Sequence, residues 1–279
     1  MMKTLSNHLL VYDKYCPLCC WYTGLFIKYK LLDEHSRVAY QDIDSAKYPT
    51  VDYIIAQNKI ALINTQKGNV IYGIDAISIM LSIPFPFVGF FIKFKPIHWF
   101  MEKFYMLVSM NRKIIIPVNC NKDVSCSSSR SWFWRWLFVV LCALTVNVLV
   151  GNYFTTHLSS YFIGNPLYGD TIYFAIQLGF QYLMCLLFKE KNRYDYLGQI
   201  AFVSFLGAVI LAFCGMGLTL VQCFNINISM LQPFCYGMVF AWMFMEHRRR
   251  ILISEMDWRL SYTWVFVRLL MYPLAFTVN

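Results

Sequence analysis

The chain has 279 residues, 58% of them hydrophobic and only 14% charged, with a mean hydropathy of +0.49. A soluble globular protein usually carries about 25% charged residues, so an ordinary soluble globule is excluded. The formal net charge is +9, but the cations build no basic face interleaved with base-stacking aromatics, which argues against nucleic acid as a partner. Most of the charge lies in residues 1–130, and long uncharged runs occupy much of the rest.

Met1 to His8 contain neither an apolar core nor a small-residue cleavage site, so no removable signal peptide is expected. Residues 8–12 read as a strand, and the amphipathic stretch 17–32 reads as a helix. Between them, Cys16 and Cys19 form a Cys-x-x-Cys pair delivered by a strand to the first turn of a helix. Dithiol redox chemistry uses this arrangement. The unpaired N–H groups and positive pole of the helix stabilise a thiolate at Cys16, and Cys19 sits one turn on. Pro17 suits the first helical position because its missing N–H has no partner there anyway. A buried structural pair is the plain alternative. Zinc would need two further ligands, for which Cys120 and Cys126 are the nearest choices, in a Ser-rich linker. No metal is expected.

Asp13 ends the first strand. It is a candidate proton shuttle to Cys19, or else a helix cap or turn residue. Cys20 points away around the helix and reads as a packing residue. Residues 37–43 read as a second strand, and 45–57 as a short helix capped by Asp44 or Ser45. Residues 59–64 and 69–72 flank Thr65-Gln66-Lys67-Gly68, a hairpin signal. Helix 75–82 follows, with Asp75 as its expected N-cap, then the very apolar segment 85–94, expected against the membrane surface, and a helix around 98–111. The order βαβαββα is that of the thioredoxin fold, an α/β unit.

Residues 119–131 read as a linker, and residues 132–279 as an all-α transmembrane bundle of four to five helices. The expected spans are 133–150, 171–188, 199–222 and 230–245, with 262–278 as a shorter fifth stretch that carries Arg268 and Pro273. Lys189, Lys191, Arg193 and Arg248 to Arg250 alternate with loops free of Lys and Arg, which orients the N-terminal domain to the cytoplasm. Cys214, Cys223 and Cys235 read as small apolar residues of the bundle, with a transmembrane thiol relay as the sharper alternative. The five histidines show no paired axial-ligand pattern, and no cofactor is expected.

In residues 8–116 the chain resembles the DCC family of thiol-disulfide oxidoreductases, named for an Asp-x-x-Cys-x-x-Cys signature that here is Asp13, Cys16 and Cys19. Gly73-Ile74-Asp75-Ala76 looks like the family's Gly-x-Asp-Ala element, and Tyr105 with Asn111-Arg112 like its closing element. The resemblance implies a thioredoxin-like fold and a redox-active dithiol. Lys14 stands where the family commonly carries Gly and either supplies a cation near the thiolate or covers the edge of the site. Arg112 pairs with a carboxylate or meets headgroups. No Pro immediately precedes strand 59–64.

The expectation is an integral membrane protein, of the bacterial inner membrane, with a cytoplasmic thiol-disulfide oxidoreductase domain at residues 1–118. Its partners are the lipid bilayer and a protein or small-molecule thiol or disulfide. The alternatives are a non-enzymatic membrane protein whose N-terminal domain binds a partner, and a transmembrane electron relay.

Overall fold

The computed structural model describes residues 4–118, 131–159 and 166–274. Two compact units divide the chain, Met1–Arg135 and Trp136–Asn279. The first contains a small mixed sheet, and the rest of the chain is mostly helical.

The sheet is built from β1 (His8–Tyr12), β2 (Arg37–Ala39), β3 (Ala61–Asn64) and β4 (Val70–Tyr72), in the order β2-β1-β3-β4. β1 runs parallel to β2 and antiparallel to β3, and β3 pairs antiparallel with β4. β1 is central, and Leu10 and Val11, on its opposite faces, are both fully buried. Leu10 packs with Phe26, Leu32, Leu62 and Met80, whereas Val11 packs with Val51, Ala56, Ala61 and Ile63. Both faces of the sheet are covered, so its central strands are apolar on both sides.

Helix α1 (Pro17–Lys28) follows β1 directly. It stops short of the expected residue 32 because Lys30 adopts a left-handed conformation (φ 57°) that turns Leu31 and Leu32 into the core. The helix expected over 45–57 is instead the shorter α2 (Tyr53–Asn58). Pro49 disfavours helical backbone in the residue before it, and Asp52 supplies the cap by accepting from the N–H groups of Ile54 (2.9 Å) and Ile55 (3.1 Å). Asp44 holds only a turn, through the Ala46 N–H.

The β3–β4 hairpin leads to α3 (Ile74–Leu81), where Gly73, not Asp75, occupies the N-cap. Gly73 has a φ of 63°, open to glycine at little cost. Asp75 lies in the first turn and pairs with His98 Nε2 at 2.9 Å. α4 (Pro86–Lys93), α5 (Lys95–Met110) and α6 (Arg112–Ile115) complete the unit.

α7 (Trp132–Tyr153) continues through a π-helical turn, Phe154–Leu158. α8 (Pro166–Leu187), α9 (Arg193–Gln222), α10 (Leu231–Ile253) and α11 (Arg259–Leu274) follow. Of the four to five spans expected, two have the length and apolar composition to cross a membrane among the described residues, Trp132–Leu158 and Arg193–Gln222. The apolar part of α8, Thr171–Leu187, is shorter, and α10 ends in charge, with Arg249 and Arg250 both paired to Glu246. Residues 119–130 of the expected linker and 275–278 of the expected last stretch lie outside the described residues.

Candidate active site

The site lies where the C-terminal end of β1 meets the N-terminus of α1. Cys16 is the N-cap of α1, in extended conformation (φ −98°, ψ 108°), with Pro17 opening the helix. The Cys16 Sγ accepts from the Cys19 N–H at 3.4 Å, so a sulfur occupies the position usually filled by a capping oxygen. The Cys16 and Cys19 thiols also hydrogen-bond to each other, and both are free. The Cys19 carbonyl is held by the Thr23 hydroxyl at 2.6 Å, and Tyr22 reaches the Cys19 sulfur at 3.9 Å. Tyr22 is three residues beyond Cys19, on the same helical face.

Asp13, just past the end of β1, is 4% exposed, and Arg112, opening α6, is 5% exposed. The Arg112 Nη2 donates to Asp13 Oδ2 at 2.7 Å and to the Gln57 carbonyl at 3.0 Å, while Nη1 approaches Cys19 Sγ at 3.6 Å. Asp13 Oδ1 accepts from Gln41 Nε2 at 2.7 Å and from the Tyr15 N–H at 3.1 Å. The two residues form a buried ion pair braced by these further hydrogen bonds, with the Arg112 Nε buried and left without a partner. The guanidinium stands between Asp13 and Cys19.

These surroundings split the two thiols. Cys16 falls from the ordinary 9.0 to about 7, chiefly through the hydrogen bond from Cys19, with the Arg112 charge helping and burial opposing. Cys19 moves the other way, raised by its bond to the Cys16 thiolate and by burial. Cys20 is also raised by burial, and its thiol donates to the Lys14 carbonyl at 3.3 Å, away from the pair. The arrangement therefore holds one sulfur ready to ionise near neutrality and keeps its neighbour protonated.

A cleft opens beside Cys19, lined by Asp13, Cys19, Tyr22, Tyr105, Ser109 and Arg112 among others. The Tyr105 hydroxyl accepts from the Ile60 N–H at 3.0 Å, and its ring lies over Gly73, where a Cβ would come within 3.2 Å of it. Ile60 occupies the place before β3 where no proline was found, and its N–H is engaged. Burial pushes the Tyr105 hydroxyl up to about 12.

The structure brings Asp13, Cys16, Pro17, Cys19 and Arg112 together. Lys14 does not face the thiols: its ammonium pairs with Asp42 at the edge of the site. Asp75 stands apart, on α3 against His98. Gln41 and Tyr22 were not anticipated. Tyr22 was detectable as the i+3 neighbour of Cys19, and Gln41 as the residue just past a parallel strand beside β1. Cys120 and Cys126 lie outside the described residues, and no cluster of three metal-binding side chains occurs among the described ones. In the second unit Cys214 and Cys235 face one another across α9 and α10, and Cys223 is exposed.

Residues 10–116 match the model of the family described as DCC1-like thiol-disulfide oxidoreductase. This segment is a DCC1-like domain. No curated protein and no solved structure matches the chain. The DCC1-like match spans the dithiol, Gly73, Tyr105 and Arg112, and supports a redox role for the buried pair.

Proposed function

We propose that the protein is a membrane-anchored thiol-disulfide oxidoreductase whose thioredoxin-like domain works in the cytoplasm as a reductase or redox relay. The observation that carries this is the divergence of the two thiols, Cys16 down to about 7 and Cys19 raised, at a helix N-terminus next to a buried guanidinium. The Cys16 thiolate attacks one sulfur of a substrate disulfide. A mixed disulfide forms and the substrate's other sulfur leaves as a thiolate, which takes up a proton. Cys19 then loses its proton and attacks the Cys16 sulfur, releasing the second substrate thiol. The substrate disulfide gains two electrons and the Cys16–Cys19 pair gives up the same two. Arg112 steadies the anion at each stage, and Asp13 with Gln41 holds Arg112 in place. A cellular thiol reductant restores the dithiol.

The anchor rests on the two membrane-length helices, and the cytoplasmic orientation on the alternation of basic loops. Trapping with Cys19→Ser tests the reading: the variant retains a mixed disulfide on Cys16 that the parent resolves. If no adduct accumulates and Cys16 is alkylated with the pH profile of an ordinary thiol, the proposal fails. A second reading, a transmembrane relay, draws on the facing Cys214 and Cys235. It requires their redox state to change when Cys16 is removed, as read by differential thiol labelling.

A further inference from the structure

α4 and α5 form a helical hairpin turning at Phe94, with α3 packed against both. Ile92 and Ser109 are buried, whereas the outer side is aromatic. Phe87, Phe90, Phe94, Trp99, Phe100 and Phe104 are 53–78% exposed, and Phe100 stacks on Phe104 with centroids 6.5 Å apart. A soluble surface rarely leaves so many large rings together in water. Lys93, Lys95 and Lys103 share the hairpin, are exposed, and form no ion pair among the described residues. Of the hairpin's other ionisable groups, Glu102 faces Lys59 at 3.8 Å and His98 is taken by Asp75. The exposed surface is therefore apolar rings bordered by unopposed cations.

We propose that the α4–α5 hairpin is an interfacial membrane contact, its rings seated among the headgroups of an anionic bilayer and its lysines on the lipid phosphates. Helices that lie in a membrane surface combine these features: Phe and Trp on one side, lysines beside them, and a length too short to span. α4 has 8 residues and α5 has 16. The charge selects an anionic surface over a neutral one. The chain also reaches its first membrane-length helix soon after α6, so a bilayer is close by. Only in that last respect does the inference rest on the membrane-anchored reading. It adds that the redox unit itself touches lipid, and that its cleft, whose wall includes Tyr105 and Ser109 of α5, works at the membrane surface.

The test uses the full chain in vesicles of phosphatidylcholine, with or without phosphatidylglycerol, and a carbene photolabel dissolved in the lipid phase. Mass spectrometry reads label in peptides covering 86–110 and, as a reference, in α9. The expected result is label at Phe90, Phe94 and Trp99 in the anionic vesicles and several-fold less in neutral ones. The variant Phe90→Ser/Phe94→Ser/Trp99→Ser loses that label and keeps the Cys16 alkylation profile of the parent. Solvent-level labelling of the hairpin in both vesicles overturns the inference, as do crosslinks showing the rings packed on another helix of the chain or on a second copy. Equal labelling in the two vesicles overturns the part given to the lysines. An unlabelled α9 would instead refute the membrane anchor, with hairpin label still deciding this inference.

Discussion

Replacing Arg112 by Met removes the charge nearest the dithiol while keeping an apolar stem of similar length. The fall of Cys16 from 9.0 to about 7 corresponds to about 2.7 kcal/mol of preference for the thiolate. The Cys19 hydrogen bond is the largest cause and survives the substitution, so Arg112→Met raises Cys16 only part of the way, by about one pH unit. At pH 7 the thiolate fraction then drops from about one half to about one tenth. A more basic thiolate is a better nucleophile, with a Brønsted coefficient of about 0.4–0.5, which restores about threefold. The net loss in attack rate is thus only about twofold at pH 7, and the sign reverses well above pH 8, where both enzymes are ionised. The assay is iodoacetamide alkylation of Cys16 across pH 5.5–10 in the reduced chain, carried out on Cys19-intact protein and resolved by peptide mass spectrometry. An unchanged midpoint in Arg112→Met would refute the electrostatic role; a rate loss that is the same at every pH would show that Arg112 acts on geometry alone.

Other consequences are equally measurable. Cys16 is depressed in the folded state, so its contribution is complete above the ordinary value of 9.0 and disappears as pH falls through about 7. Cys19 is raised, so its contribution is present below the ordinary 9.0 and declines as pH rises beyond it. The reduced protein should therefore gain up to about 2–3 kcal/mol over Cys16→Ser between pH 7 and 9 and lose ground above that, by denaturant midpoints; a flat difference contradicts the pairing. Gly73→Ala forces a left-handed conformation and brings a Cβ within 3.2 Å of Tyr105. It should destabilise the first unit by about 1–3 kcal/mol, seen as faster amide exchange in β1 and β3. Tyr105→Phe strips the Ile60 N–H of its acceptor, costing about 1–3 kcal/mol in the same exchange measurement, and an exchange pattern like the parent's would show that water replaces the hydroxyl.

Legibility in the sequence followed the range of the forces involved. β1, the hairpin and α1 were readable because period-two and helical patterns, turn residues and Pro17 are local signals. The helix expected over 45–57 shrank to α2 because Asp52, not Asp44, offered a cap and Pro49 interrupted the run. Asp75 looked like a cap, yet Gly73 took that place because the chain turns there with positive φ, and the freed carboxylate found His98 on another helix. The dithiol was visible as a motif. Its polar frame was visible only in part: Arg112 was expected against a carboxylate or headgroups, but Asp13 as its partner and Gln41 as the brace depend on segments distant in the chain that only folding brings together. Lys14 was legible as a cation but not as a partner of Asp42.

The titration of Cys16 near neutrality bears on electromotive force in an unexpected way. Ionisation stabilises the dithiol over the disulfide only in proportion to the proton already lost. At pH 7, with half of the sulfur ionised, that preference is about 0.4 kcal/mol, or roughly 9 mV for a two-electron couple. So small an offset barely moves the midpoint potential. Lowering the first thiol to this value makes the couple quick without biasing it, and the direction of flow is left to whichever donor and acceptor it meets.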